Sequence, residues 1–206
     1  MLAVVVVQVL AALSLVGILA VVLVGGPRLP SVKTPPRIVA RRAPARWTEG
    51  VWVGGAATSV LWNIGVLAAP RYAYDWPSLP DVSITAALQL VGFAVSLVGG
   101  ALFLASARAL GRYLTPAIQI QEDHRIVQSG PYRRIRHPVY TGIVASAFGL
   151  SLLFLSLPLL GVALLLLVMA GYRARLEEDL LSSPEGFGPA YREYVSRTGR
   201  FLPRLR

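Results

Sequence analysis

The chain contains no cysteine, which excludes disulfides, thiolate metal sites and a cysteine nucleophile. Histidine is almost as scarce. His124 and His137 are the only imidazoles, too few for a His-rich zinc or di-iron centre, so no metal is expected. Polar residues are few as well: of 206 residues, 55% are hydrophobic and 15% charged. A mean hydropathy of +0.61 is too high for a soluble domain of this size. No G-x-G-x-x-G fingerprint and no internal repeat is present.

What charge there is lies in blocks. Of the 20 Lys+Arg residues, six fall between Arg28 and Arg46, six between Arg108 and Arg136, and seven between Arg173 and Arg206. This spacing between apolar runs follows the positive-inside rule, so the formal charge of +10 reports topology and no nucleic-acid partner is expected. Attraction to anionic membrane lipids would be a secondary effect. The single lysine and the Ala/Val/Leu/Arg-rich composition point to a bacterial inner membrane.

Five apolar runs predict an all-α integral membrane protein with five transmembrane helices. They are Leu2 to Val24, Val51 to Ala69, Ile84 to Ser106, Val139 to Leu157 and Leu159 to Tyr172. The first lacks a basic n-region and exceeds the ~7–15 apolar residues of a signal peptide. The fifth has 14 residues, about 21 Å of helix, and forms a hairpin with the fourth around Ser156, Leu157 and Pro158. To cross, it must continue through Arg173 and Arg175, which would snorkel to the interface. Five crossings put the N-terminus outside and all three basic segments, with the C-terminal segment, on the cytoplasmic side. Tyr72, Tyr74 and Trp76 then anchor the outer surface, and Trp47 and Trp52 the inner one. Pro27 to Pro44 reads as an irregular connection. Gly92, Ser96 and Gly100, and Gly142, Ala145 and Gly149, are small residues for helix packing; Asn63 and Gln89 suit interhelical hydrogen bonds.

Two polar knots interrupt this apolar chain. The first runs from His124 to Tyr140. Gly130-Pro131 predicts a turn that returns Tyr132 toward a helix beginning at Pro138, where proline's missing N–H costs nothing. A helix start beside Arg136, His137 and Tyr140 favours an anion; a basic loop holding lipid head groups would explain Arg133, Arg134 and Arg136 equally well. The second knot is Arg173 to Asp179. Glu177, Glu178 and Asp179 approach a helix end that Ser182, Ser183 and Pro184 should form, against the helix dipole. Pairing of Arg173 with Glu177 and of Arg175 with Asp179 accounts for two of the acids. Otherwise the acids suit a cationic ligand group. Together the knots suit a zwitterionic, amino-acid-like cofactor with a cation over aromatic rings.

The chain can be read as residues 1-123, a three-helix membrane region, followed by 124-206, a cofactor-binding core, in one integrated domain. The motif His124-x-Ile126-Val127-x-x-Gly130-Pro131-Tyr132, then Arg136-His137-Pro138-x-Tyr140-x-Gly142, resembles the signature of the isoprenylcysteine carboxyl methyltransferase and phospholipid methyltransferase superfamily. Arg173-x-x-x-Glu177-Glu178 followed by Leu180 and Leu181, Gly188-x-x-Tyr191-x-x-Tyr194, Arg197 and Pro203 extend the likeness over roughly the last 85 residues. The resemblance implies a membrane enzyme that binds S-adenosylmethionine in a cytoplasmic-side pocket and methylates a lipophilic acceptor entering from the bilayer. It further implies that His124, Val127, Gly130, Tyr132, His137, Pro138 and Tyr140 line the cofactor. Glu177 and Glu178 would bind the amino-acid end or position the acceptor. Arg136 would steer an anionic acceptor, and His137 or a glutamate would act as base for an amine.

Membrane sterol reductases, which use NADPH, share the Arg-His-Pro-x-Tyr element. They carry tryptophans ahead of it and a His-Arg-x-x-Arg-Asp pattern after the last span, where this chain has Gly130-Pro131-Tyr132 and Glu177-Glu178. A non-enzymatic lipid-binding protein is the remaining alternative. A transporter is disfavoured by the few charges within the spans.

Overall fold

The computed structural model describes residues 2–25, 37–45, 47–70 and 84–204. The proline-free apolar runs form helices α1 (Val4–Gly25), α2 (Trp47–Ala68) and α3 (Thr85–Leu110). Two more begin with a proline in their first turn: α4 (Pro138–Leu153) and α5 (Leu157–Ser182). A short amphipathic α6 (Pro189–Arg197) follows. Among the described residues, Trp47–Ala68, Thr85–Tyr113 and Leu157–Ser182 are long and apolar enough to cross a membrane, while Val4–Ala20 and Pro138–Leu153 are shorter apolar helices.

The fold is mostly helical but not all-α. Ile38–Arg42 (β1) pairs antiparallel with Ile118–Gln121 (β2), with an irregularity between Ile38 and Ala40. The segment expected to be an irregular connection therefore contributes a strand, and its earlier part lies outside the described residues. The ribbon is held because Ile118 and Ile120 bury against Leu180 of α5. The aromatic anchors expected at Tyr72, Tyr74 and Trp76 lie outside the described residues.

The α4–α5 hairpin forms where expected. Leu155 takes a left-handed conformation (φ +53°), and Ser156 caps α5 by accepting from Leu159 N at 3.3 Å. The fifth helix, expected over 14 residues, runs unbroken through both arginines for 26, about 39 Å. Arg175 is exposed, but Arg173 does not snorkel: it is 4% exposed.

α3 and α4 pack closely through glycine. A Cβ on Gly92 would lie 2.7 Å from Gly149 O, and one on Gly142 would lie 2.7 Å from Gly99 O. The buried small residues of α3 along this seam are Gly92, Ser96 and Gly99, an i, i+4, i+7 spacing on one helix face, and Gly100 is half-buried. Ser146 Oγ donates to Ser96 O across the seam at 3.1 Å. Elsewhere Gln89 Nε2 donates to Leu153 O at 3.0 Å and Ser14 Oγ donates to Asn63 Oδ1, the interhelical use expected of both amides. Val7, Val66, Leu150, Leu153, Phe154 and Leu159 close the core at the end remote from the polar knots.

Candidate active site

The start of α4, the end of α5 and the C-terminal segment converge on one cluster. Gly130 (φ +56°) opens a tight turn over Gly130–Arg133 that turns Tyr132 inward. Tyr194 of α6 donates to Tyr132 O at 2.7 Å; its own pKa is pushed up to about 12 by burial, so it does so as a neutral phenol. Residues 199–200 then run parallel beside 134–137. Gly199 N donates to Arg134 O at 3.0 Å, Arg136 N to Gly199 O at 2.8 Å, and His137 N to Arg200 O at 3.0 Å. Thr141 Oγ1 donates to Phe201 O at 2.8 Å.

This frame delivers three cationic groups to Glu178. Arg136 Nε donates to Oε1 at 2.8 Å, His137 Nε2 lies 3.2 Å from the same oxygen, and Arg200 reaches both oxygens, through Nε at 3.2 Å and through Nη2. Arg136 is further occupied by the carbonyls of Val195, at 3.2 Å, and Thr198. His137 Nδ1 faces Glu177 Oε2 at 3.3 Å, so each imidazole nitrogen meets a carboxylate. Burial pushes the His137 pKa down, but its hydrogen bonds to Glu177 and Glu178 outweigh burial and hold it above the ordinary 6.5. The protonated form of the ring is thereby favoured.

Arg173 was expected to pair with Glu177 one turn on. Instead Arg173 Nε donates to Tyr140 OH at 3.3 Å, and Tyr140 OH donates to Glu177 Oε1. Arg173 also donates to Pro116 O and, at 3.5 Å, to Thr48 Oγ1 at the start of α2. Tyr140 stacks between His137 and Trp52, with ring centroids 5.8 Å apart on both sides. Trp52 therefore faces inward, although its place near a span end suggested an interface anchor. Trp47 is exposed and lies 5.8 Å from Tyr172.

These residues wall a cavity of about 360 Å³, within the range of small-molecule sites. His124, Val127, Tyr132, Arg136, His137, Tyr140 and Glu177 line it. Gly130, Pro138 and Glu178 do not: the first two shape the turn and the helix start, and Glu178 sits behind Arg136 and His137. Residues earlier than His124 complete the wall, including Trp52 of α2, Phe103 of α3, and Pro116 and Ile118 beside β2. Sequence reasoning missed Trp52, Arg200, Thr198 and Phe201. Only the period-two alternation Ile118-Gln119-Ile120-Gln121 signalled the strand.

The lining fits an adenosyl sulfonium amino acid. Glu177 is a carboxylate on the wall, and aromatic rings surround the space. His124 stacks on Tyr113 at 4.3 Å and meets Phe187 edge-on at 5.6 Å, and its buried Nδ1 has no hydrogen-bond partner among the described residues. Burial lowers the His124 pKa, opposed by Asp123 and reinforced by Arg112, so a neutral ring presents that orphaned atom.

Comparison with known proteins agrees with this geometry. Residues 90–183 match the model of the isoprenylcysteine carboxyl methyltransferase (ICMT) family, beginning well before the motif at His124. Human protein-S-isoprenylcysteine O-methyltransferase is 30% identical over 130 residues, covering 62% of this chain and 44% of the human protein. A probable protein-S-isoprenylcysteine O-methyltransferase of Oryza sativa subsp. indica is 28% identical over 118 residues, covering 56% and 61%. The solved structure of the eukaryotic intramembrane Ras methyltransferase ICMT superposes with a TM-score of 0.53 at 18% identity, covering 94% of this chain and 73% of that one. The fold is that of ICMT, a multi-pass membrane architecture. The match to the isoprenylcysteine carboxyl methyltransferase family covers a little under half of the chain, and the chain spans 44% to 61% of the length of these two relatives.

Proposed function

We propose that the chain is an integral membrane methyltransferase that takes S-adenosylmethionine and methylates a lipophilic acceptor. The observation that carries this reading is the single cavity that joins Glu177, Tyr140 and His137 to the apolar side chains of Phe103, Val139 and Ile143. A charged donor and a lipid acceptor can meet there. When bound, the cofactor supplies an electrophilic methyl carbon on a cationic sulfur. Glu177 takes the ammonium of the amino-acid end. His124, Val127, Tyr132 and Tyr140 surround the remainder, held in register by Gly130 and Pro138. Alignment in such a site can contribute up to ~7–11 kcal/mol of barrier lowering.

Arg136 and Glu178 act as the rigid backing of His137, since their charges are already matched. A histidine whose two ring nitrogens are already engaged by Glu177 and Glu178 is poorly placed to accept a proton from an acceptor. Among the isoprenoid or lipid carboxylates and amines expected, this favours a carboxylate, which needs no base. In a poorly hydrated site, neutralising carboxylate and sulfonium as the bond forms speeds the transfer.

Five crossings, with the cavity on the cytoplasmic side of a bacterial inner membrane, complete the proposal. Alternating helix directions support it. So does the gathering of Arg37, Arg41 and Arg42 of the ribbon with Arg112, Arg136 and Arg200 at the cavity end. The test incubates purified protein with methyl-labelled cofactor and lipid extract. Label in an organic-extractable, base-labile ester is the expected result, and no transfer to any lipid fraction refutes the reading.

A further inference from the structure

We propose that Arg173 is the carboxylate-binding residue of the cavity, taking the carboxylate of a bound ligand. Resemblance had given the anion-steering role to Arg136, but Arg136 already holds Glu178 and two carbonyls. Arg173 is different. It lies on the cavity wall, is 96% buried (4% exposed), and donates only to neutral oxygens: Tyr140 OH, Thr48 Oγ1 and Pro116 O. Among the described residues no carboxylate pairs with it.

A buried guanidinium without a counter-anion is costly, and a planar five-donor fork matches a carboxylate. Glu177 lies one turn along the same helix on the same wall, so an anion subsite and a cation subsite stand side by side with Tyr140 OH between them. The carboxylate could belong to the methyl donor or to the lipid acceptor. Only the donor arm of the test rests on the methyltransferase reading.

The test titrates wild type, Arg173→Gln and Arg173→Lys with two matched pairs. The first pair is S-adenosylhomocysteine and its decarboxylated analogue, which keeps the ammonium. The second is farnesylthioacetic acid and the corresponding alcohol. Wild type should prefer the carboxylate member of one pair by about 10–100-fold, as expected when a charge-assisted hydrogen bond is lost. Arg173→Gln should erase that preference while leaving the affinity of the other member within about twofold, and Arg173→Lys should restore part of it. Preference in the first pair assigns the donor's carboxylate, and preference in the second the acceptor's. If wild type binds neither adenosyl ligand, the methyltransferase reading falls and the second pair decides Arg173 alone. Wild-type preference below about twofold in both pairs, or equal weakening of both members by Arg173→Gln, overturns the proposal. Should neither variant fold, the wild-type preferences decide it by the same thresholds.

Discussion

Glu178→Gln removes one negative charge and little else. Glutamine keeps the shape and one acceptor oxygen, so the experiment isolates the carboxylate that three cationic groups share. At 2.8 Å and an effective dielectric of about 20, the Arg136–Glu178 contact alone is a gross attraction of about 6 kcal/mol, before desolvation. With side-chain exposures of 9% and 12%, the pair is buried enough that losing one partner leaves uncompensated charge, costing about 3–5 kcal/mol. Arg200 is 39% exposed and relaxes into water, so the lower end of that range is expected, about 3 kcal/mol. The assay is unfolding in mixed micelles, with histidine NMR as a second readout. The His137 pKa should fall when one of its two carboxylates is lost. A stability change under about 1 kcal/mol with an unmoved His137 titration would refute the claim that Glu178 is the charge centre of the site.

Four further outcomes follow from the same geometry. The two histidines should titrate on opposite sides of 6.5, His137 above and His124 below, as resolved by NMR. The stability His137 contributes is full below its unfolded pKa and lost as pH rises through the raised one; that linked to His124 is present above the unfolded pKa and lost as pH falls toward the lowered one. Gly99→Ala should cost about 1–3 kcal/mol in the same unfolding assay because its Cβ would meet Gly142 O at 2.7 Å. Tyr140→Phe cuts the link between Arg173 and Glu177. It should cost about 1–3 kcal/mol in unfolding and weaken adenosyl-ligand binding. A chain ending at Arg197 loses the backbone bonds to Arg136 and His137 as well as Arg200, and should lose ligand binding in titration while retaining helical circular dichroism.

The helices were legible because apolar runs of this length have few other folds, and Pro138 and Pro158 mark two helix starts. Charge blocks separated the ends. The cluster of His137, Tyr140 and Glu177 was legible from motif, but its wiring was not. Nothing in Arg173-x-x-x-Glu177 says that a tyrosine from another helix will stand between them, because that depends on the α4–α5 packing. The ribbon was missed because β1 is five residues flanked by arginines, and its stability comes from Ile118 and Ile120 meeting α5. Arg200 looked like one more basic surface residue; only the parallel pairing of 199–200 with 134–137 turns it onto Glu178.

Calorimetric titration of the purified protein with S-adenosylhomocysteine and, separately, NADPH tests the central claim most directly. Wild type should bind S-adenosylhomocysteine and not NADPH, and Glu177→Gln should weaken that binding at least about tenfold without unfolding the protein. Tight NADPH binding with no affinity for S-adenosylhomocysteine would contradict it.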